Sequence, residues 1–139
     1  MFIQPVTGYR KVVTPAFRSQ AENPLLKQSD ITRLDSKLVI GRAPGACRYE
    51  NHQYKINSNI LDKDLQFLKS NYNVDTLIDL RAGHIEGNEI TKEANAAKKA
   101  GMTYLNLQMD GAIAPKPDEL KSFLNTIDKA KGNVYLHCH

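Results

Sequence analysis

Between Leu38 and His137 short apolar runs alternate with amphipathic stretches, and this alternation restricts the fold more than any other feature of the chain. Leu38-Val39-Ile40, ending at Gly41, reads as a first strand, Val74 to Leu80 as a buried strand, Thr103 to Leu107 as an alternating strand and Asn133 to His137 as the last. Leu61, Leu65, Leu68 and Tyr72 recur at spacings that put them on one helical face. Ile90, Ala94 and Ala97 mark a second helix, with Gly101 where a left-handed C-terminal cap is wanted. A third helix starts near Pro117, which suits a first helical position, and Asp118 and Glu119 favour the positive end of its dipole. Leu120, Phe123, Leu124 and Ile127 form its apolar stripe, and Gly132 ends it. Parallel neighbours need a crossover connection, so strands separated by helices in this way predict an α/β fold, a mostly parallel sheet flanked by helices.

The remaining segments read as connections. Arg42 to Tyr54, Arg81 to Asn88 and Gln108 to Pro117 are expected to be loops, all leaving carboxyl ends of strands. Residues 1–36, with Pro5, Pro15 and Pro24 and no sustained periodicity, are expected to form an irregular N-terminal arm, leaving 37–139 as the domain proper. With 139 residues, 41% of them hydrophobic, the chain suits one domain with its own core. No apolar stretch is long enough to span a bilayer and no secretory signal opens the chain, so the expectation is a cytoplasmic protein that binds no membrane. The net charge, 19 − 15 = +4, mildly favours anionic ligands such as phosphate esters, without the clustered Lys and Arg of a nucleic-acid binder.

Ligands of open α/β sheets bind beyond the carboxyl ends of the strands. Cys138 lies at such an end, directly after His137, where an imidazole beside the thiol depresses its pKa and makes it a nucleophile candidate. A buried, inert thiol is the plainer reading of the same residue. Zinc ligation by His137, Cys138 and His139 is disfavoured, because neighbours in extended chain point to opposite faces. Cys47 is a candidate redox partner for Cys138. Asp79 and Arg81 read equally as a strand-end ion pair, and Asp110-Gly111 equally as a turn.

The stretch from Leu38 to His139 resembles the cysteine-dependent protein tyrosine and dual-specificity phosphatases, particularly their bacterial dual-specificity-like group. The resemblance rests on Thr76-Leu77-Ile78-Asp79-Leu80-Arg81, on Glu89 in the next helix, on Gly101 before Tyr104-Leu105-Asn106-Leu107, on Met109-Asp110-Gly111 with Pro115, and on Val134-Tyr135-Leu136-His137-Cys138. It implies a phosphotyrosine protein phosphatase-like fold and hydrolysis of a phosphorylated protein or other phosphate monoester through a phosphocysteine, with no metal or other cofactor. Cys138 then corresponds to the nucleophile, His137 to the histidine that orients and acidifies it, and Asp110, 28 residues earlier, to the general acid. Arg81 is assigned to lining the substrate cleft.

The family signature runs His-Cys, five residues, then Arg, whereas the sequence stops at His139. The expectation is therefore a C-terminally incomplete catalytic domain that lacks turnover by itself, since phosphoryl transfer depends on the missing anion cradle. Two other functions stay open: a non-catalytic regulatory or binding remnant of the same fold, and a rhodanese-like sulfurtransferase, which also places a reactive cysteine after a strand.

Overall fold

The computed structural model describes residues 24–50, 53–109 and 114–138. Its strands are β1 (Ile31–Arg33), β2 (Leu38–Gly41), β3 (Ala46–Glu50), β4 (Gln53–Ile56), β5 (Val74–Asp79), β6 (Thr103–Asn106) and β7 (Asn133–His137). Its helices are α1 (Ser58–Tyr72), α2 (Gly83–Lys99) and α3 (Pro117–Lys129).

Five strands form one sheet in the order β1-β2-β7-β5-β6. The pairs β2–β7, β7–β5 and β5–β6 are parallel, and β1 runs antiparallel along the edge. The last strand thus inserts at the centre of the sheet. The chain steps from β2 through β5 to β6 in one direction, with α1 and α2 packed on one face, then reverses through α3 on the other face to reach β7. Right-handed crossovers require this exchange of faces when the direction reverses.

Side-chain alternation along the strands builds the two cores. Val39, Leu77 and Tyr135 face α1 and α2 and pack with Leu61, Leu65, Leu68, Ala97 and Met102. Ile78 and Val134 face the opposite way, against Phe123 and Ile127 of α3. Each fully buried leucine in the first core contributes about 1.5–3 kcal/mol relative to leaving it in water.

The expected helices form, and their ends follow from local chemistry. The Asn57 side chain accepts from Asn59 N (3.0 Å) and Ile60 N (3.1 Å), satisfying two donors that the first turn of α1 leaves open. Gly101 adopts φ +74° after α2. Its N–H donates to Lys98 O and that of Met102 to Ala97 O, the paired bonds of a left-handed glycine cap. Pro117 opens α3, as its missing N–H and fixed φ suit.

Four expectations about local structure are corrected. Ile31–Arg33, read as part of an irregular arm, form strand β1, because three residues suffice to pair with the edge of β2. The Arg42 to Tyr54 loop contains most of an antiparallel hairpin, β3 with β4. Helix α2 begins at Gly83, so most of the expected Arg81 to Asn88 loop is helical and the link from β5 is three residues, Leu80 to Ala82. On α3, Phe123 and Ile127 pack inward, but Leu120 (47%) and Leu124 (58%) are exposed.

Asp64, fully buried on α1, ties the segment before β1 to the body of the fold. One of its oxygens accepts from Leu25 N (2.7 Å) and Leu26 N (2.9 Å), the other from Gly45 N (2.7 Å). Burial raises its pKa above the ordinary aspartate value, and these three bonds offset that rise only in part.

Candidate active site

Strands β5 and β7 pair so that Leu77 lies beside Tyr135 and Asp79 beside His137. With a side-chain period of two, Asp79 and His137 share the face covered by α2. Tyr104 of β6 lies beside Leu77 in the sheet. Across from them, α2 turns Glu89, Glu93 and Ala97 inward, one per turn. Arg81, two residues past Asp79, folds back into the same space.

The result is a buried chain of charged hydrogen bonds. The Arg81 backbone N–H and Nε donate to Asp79 Oδ1, both at 2.9 Å, and Arg81 Nη2 donates to Asp79 Oδ2 at 2.8 Å. The same Nη2 reaches Glu93 Oε2 at 2.5 Å. The Tyr104 hydroxyl donates to Asp79 Oδ2 at 2.5 Å. Glu93 Oε1 accepts from His137 Nε2 at 2.6 Å, while His137 Nδ1 lies 3.0 Å from the Cys138 carbonyl oxygen. Two carboxylates thus face one guanidinium and one imidazole, and the cluster is neutral when the imidazole is protonated.

Both imidazole nitrogens face oxygens that can only accept, so the ring meets both contacts only as a double donor. The pKa directions agree. Burial works against the charged form of His137, but the Glu93 charge and hydrogen bond, with the Asp79 charge, outweigh it and raise the pKa above 6.5. Burial likewise pushes Asp79 up, yet the Arg81 hydrogen bonds and the His137 and Arg81 charges hold it below 3.8.

A pH dependence of stability follows. His137, raised in the folded state, contributes stability that is fully present below its unfolded value near 6.5 and is lost as the pH rises through its folded value. Asp79, lowered, contributes stability present above 3.8 and lost as the pH falls through its folded value. Asp64, raised, acts in the opposite sense to Asp79 on the acid side. Urea unfolding is therefore expected to show stability falling above pH 6.5 by up to about 1.4 kcal/mol per pH unit. Replacing His137 with Gln should flatten that limb. A limb unchanged by His137→Gln would refute the assignment.

The sequence-chosen residues separate into two groups. His137 is 2% exposed and turned into the cluster, whereas Cys138 is exposed and carries a thiol rather than a disulfide. One buried and the next exposed is the alternation of extended chain, although both residues border the same cleft. Cys138 opens onto a cleft of about 410 Å³ bordered by Asp30, Thr32, Ile40, Gly41, Leu80 and Leu136. Arg81, assigned to that cleft, is instead 1% exposed and held by Asp79 and Glu93, so the strand-end pair of the alternative reading is present and buried.

Asp110, the expected general acid, lies outside the described residues, as does His139; of Cys47, the candidate redox partner, only its place in β3 is described. The approach to Asp110 is placed, however. Leu107 N donates to Asp79 O (2.8 Å) and Met109 N to the carbonyl of Leu80, a cleft residue (3.2 Å).

Glu93 and Tyr104 escaped the sequence reading as members of this cluster. Their signal was spacing: Glu89 and Glu93 precede the buried Ala97 by two turns and one turn. Asp79, Glu93 and His137 hold ligand atoms within 4.8 Å of one another, which is metal-like spacing. The Arg81 guanidinium already bridges the two carboxylates, and both His137 nitrogens face acceptors, so the donor set does not suit a metal ion.

A family model described as "Polymorphic toxin system, DSP-PTPase phosphatase" (Tc-R-P) matches residues 51–139, well over half of the chain. The chain belongs to that family. Solved phosphatase structures carry the same fold. Tk-PTP, in a glycine-to-alanine mutant form, is 16% identical with a TM-score of 0.54, the match covering 79% of this chain and 61% of that one. Kinase associated phosphatase, with its catalytic site cysteine replaced by serine, is 13% identical with a TM-score of 0.54 over 73% of this chain and 56% of its own. A candidate phosphatase of Neisseria meningitidis Z2491 is 16% identical with a TM-score of 0.54 over 81% and 68%. The chain thus spans about three fifths of the first of these structures. No curated protein matches its sequence. Among the described residues of this phosphatase-family chain, no helix is long and apolar enough to cross a membrane.

Proposed function

We propose that this chain supplies the nucleophile and its supporting cluster to a cysteine-dependent phosphatase, acting on a phosphorylated protein or another phosphate monoester. The observation that carries this reading is the end of β7: a histidine fixed by a buried carboxylate, followed by an exposed cysteine at a cleft where the sheet reverses direction. In the first step the Cys138 thiolate attacks phosphorus, the ester P–O bond breaks, and Asp110 gives its proton to the departing oxygen. Water then attacks the phosphocysteine, its proton passes to the Asp110 carboxylate, and the P–S bond breaks to release phosphate and the thiolate. A thiolate nucleophile needs reducing surroundings, which accords with action in a cytoplasm. The family description ties such domains to polymorphic toxin systems, and we read the chain as the phosphatase part of one.

Among the described residues, the cleft lining includes the carboxylate of Asp30 and no lysine or arginine. A phosphate held there needs donors beyond these lining side chains, since loss of a single anion-hole donor already costs about 10²- to 10³-fold.

The test is acid quenching of the gene-encoded protein during turnover of an aryl phosphate, followed by peptide mass spectrometry. Phosphate on the Cys138 peptide, absent in Cys138→Ser, is the expected result. Turnover that survives Cys138→Ser overturns the reading, a persulfide on Cys138 with sulfur transfer favours the sulfurtransferase, and no turnover at all favours the non-catalytic remnant.

A further inference from the structure

We propose that Glu93 is a positioning residue, which with Arg81, Asp79 and Tyr104 holds the His137 ring as a doubly donating imidazolium and through it fixes the peptide that carries the Cys138 thiol. The proposal deepens the phosphatase reading and rests on Cys138 being its nucleophile.

The geometry divides the labour of one carboxylate. Glu93 Oε1 receives His137 Nε2, and Oε2 receives Arg81 Nη2. Arg81 is itself clamped by Asp79, and Asp79 by the Tyr104 hydroxyl. Glu93 can therefore not swing away from His137 without breaking its bond to the guanidinium. On its far side the imidazole reaches the Cys138 carbonyl at 3.0 Å, and this bond orients the residue that carries the thiol. The Tyr135 ring, 5.9 Å away centroid to centroid, closes the pocket on the His137 side.

The charged and aromatic groups that meet His137 are Glu93 from α2, Asp79 from β5, Arg81 from the β5–α2 link and Tyr135 from β7 itself, while Tyr104 of β6 meets Asp79. Glu93 touches the imidazole and not the cleft. Its effect on chemistry must pass through His137 to Cys138, by keeping a positive charge behind the thiol and the Cys138 carbonyl in place. A nearby cation stabilises a thiolate, so loss of the imidazolium should raise the thiol pKa.

The test uses the gene-encoded protein with two readouts, imidazole NMR and alkylation of Cys138 followed by peptide mass spectrometry against pH. In the unmodified protein the His137 signal, assigned by its loss in His137→Gln, is expected to stay doubly protonated at neutral pH. In Glu93→Gln the imidazole should titrate at lower pH. Cys138 alkylation at pH 7 should then fall about three- to tenfold: one unit of thiol pKa is tenfold in thiolate, partly offset by the greater nucleophilicity of the more basic thiolate. Glu93→Asp, which keeps the charge, should retain most of the His137 protonation.

A neutral, singly protonated His137 at pH 7 in the unmodified protein overturns the proposal, and needs no variant to fold. So does a folded Glu93→Gln protein with unchanged His137 and Cys138 titrations. The phosphatase reading fails separately: turnover that survives Cys138→Ser removes the nucleophile while leaving the His137 titration as it was.

Discussion

Replacing Arg81 with methionine is expected to destabilise the fold by about 3–5 kcal/mol, the usual cost of removing one partner from a buried ion pair. The size follows from counting charges. Asp79, Glu93, Arg81 and His137 balance when the imidazole is protonated, and removal of the guanidinium leaves a net −1 among side chains with almost no contact with water. Solvent screening cannot recover the loss, since Arg81 is 1% exposed. Against a total stability of about 5–15 kcal/mol for a domain, this is a large share. The double variant Arg81→Met with Glu93→Gln restores a balanced pair, Asp79 and His137, and should be more stable than Arg81→Met alone by about 0.5–3 kcal/mol. Urea unfolding of the three proteins decides the matter. An Arg81→Met loss below about 1 kcal/mol, the range of exposed pairs, would show that the cluster is not a buried charge network.

The same cluster shows where sequence reasoning stops. Helix α1 was legible because hydropathy and burial coincide: Leu61, Leu65 and Leu68 are apolar, evenly spaced and buried. Gly101 and Pro117 were legible because each has a backbone property that suits one position of a helix end. On α2 the rule fails. Ile90, Ala94 and Ala97 suggested the inward face, and Ala97 is buried, yet Glu89 and Glu93 are buried too while Ile90 and Ala94 are half-buried, so the face is rotated by about 100° there. A charged residue is ordinarily read as solvated, and only its partners reveal otherwise. Glu89 accepts from Ile56 N at 2.8 Å, and Glu93 joins Arg81 to His137. Such partners lie 12 to 44 residues away in the chain, beyond any local pattern. Arg81 was misplaced for the same reason: a cation beside a cleft suggests an anion site until its carboxylate partners are seen. The end of β7 was legible because strand alternation alone separates His137 from Cys138.

Replacing Asp110 with asparagine in the gene-encoded protein is expected to lower turnover of phosphate esters with poor leaving groups by about 10²- to 10⁴-fold, the usual contribution of a positioned general acid. The reasoning starts from the proton. An alkoxide or ordinary phenoxide departs slowly unless it is protonated as the P–O bond breaks, and the Cys138 thiolate and protonated His137 cannot both keep their charges and deliver that proton. His137 is further excluded by position, since both its nitrogens are engaged inside the cluster. The acid must then come from another part of the chain, and our proposal assigns it to Asp110, the residue after Met109, whose N–H donates to the carbonyl of the cleft residue Leu80. Activated esters whose leaving group needs no proton should lose far less. That difference between substrates, together with disappearance of the acid-dependent limb of the pH profile, separates loss of a proton donor from a general loss of structure. Asp118 competes for the role by sequence, but it is exposed in the first turn of α3, where the helix dipole accounts for it. Asp118→Asn should therefore leave turnover unchanged. Equal losses on good and poor leaving groups would sink the assignment of Asp110. Sulfur transfer that persists in Asp110→Asn, with no phosphate hydrolysis before or after the change, would move Cys138 from phosphorus chemistry to persulfide chemistry.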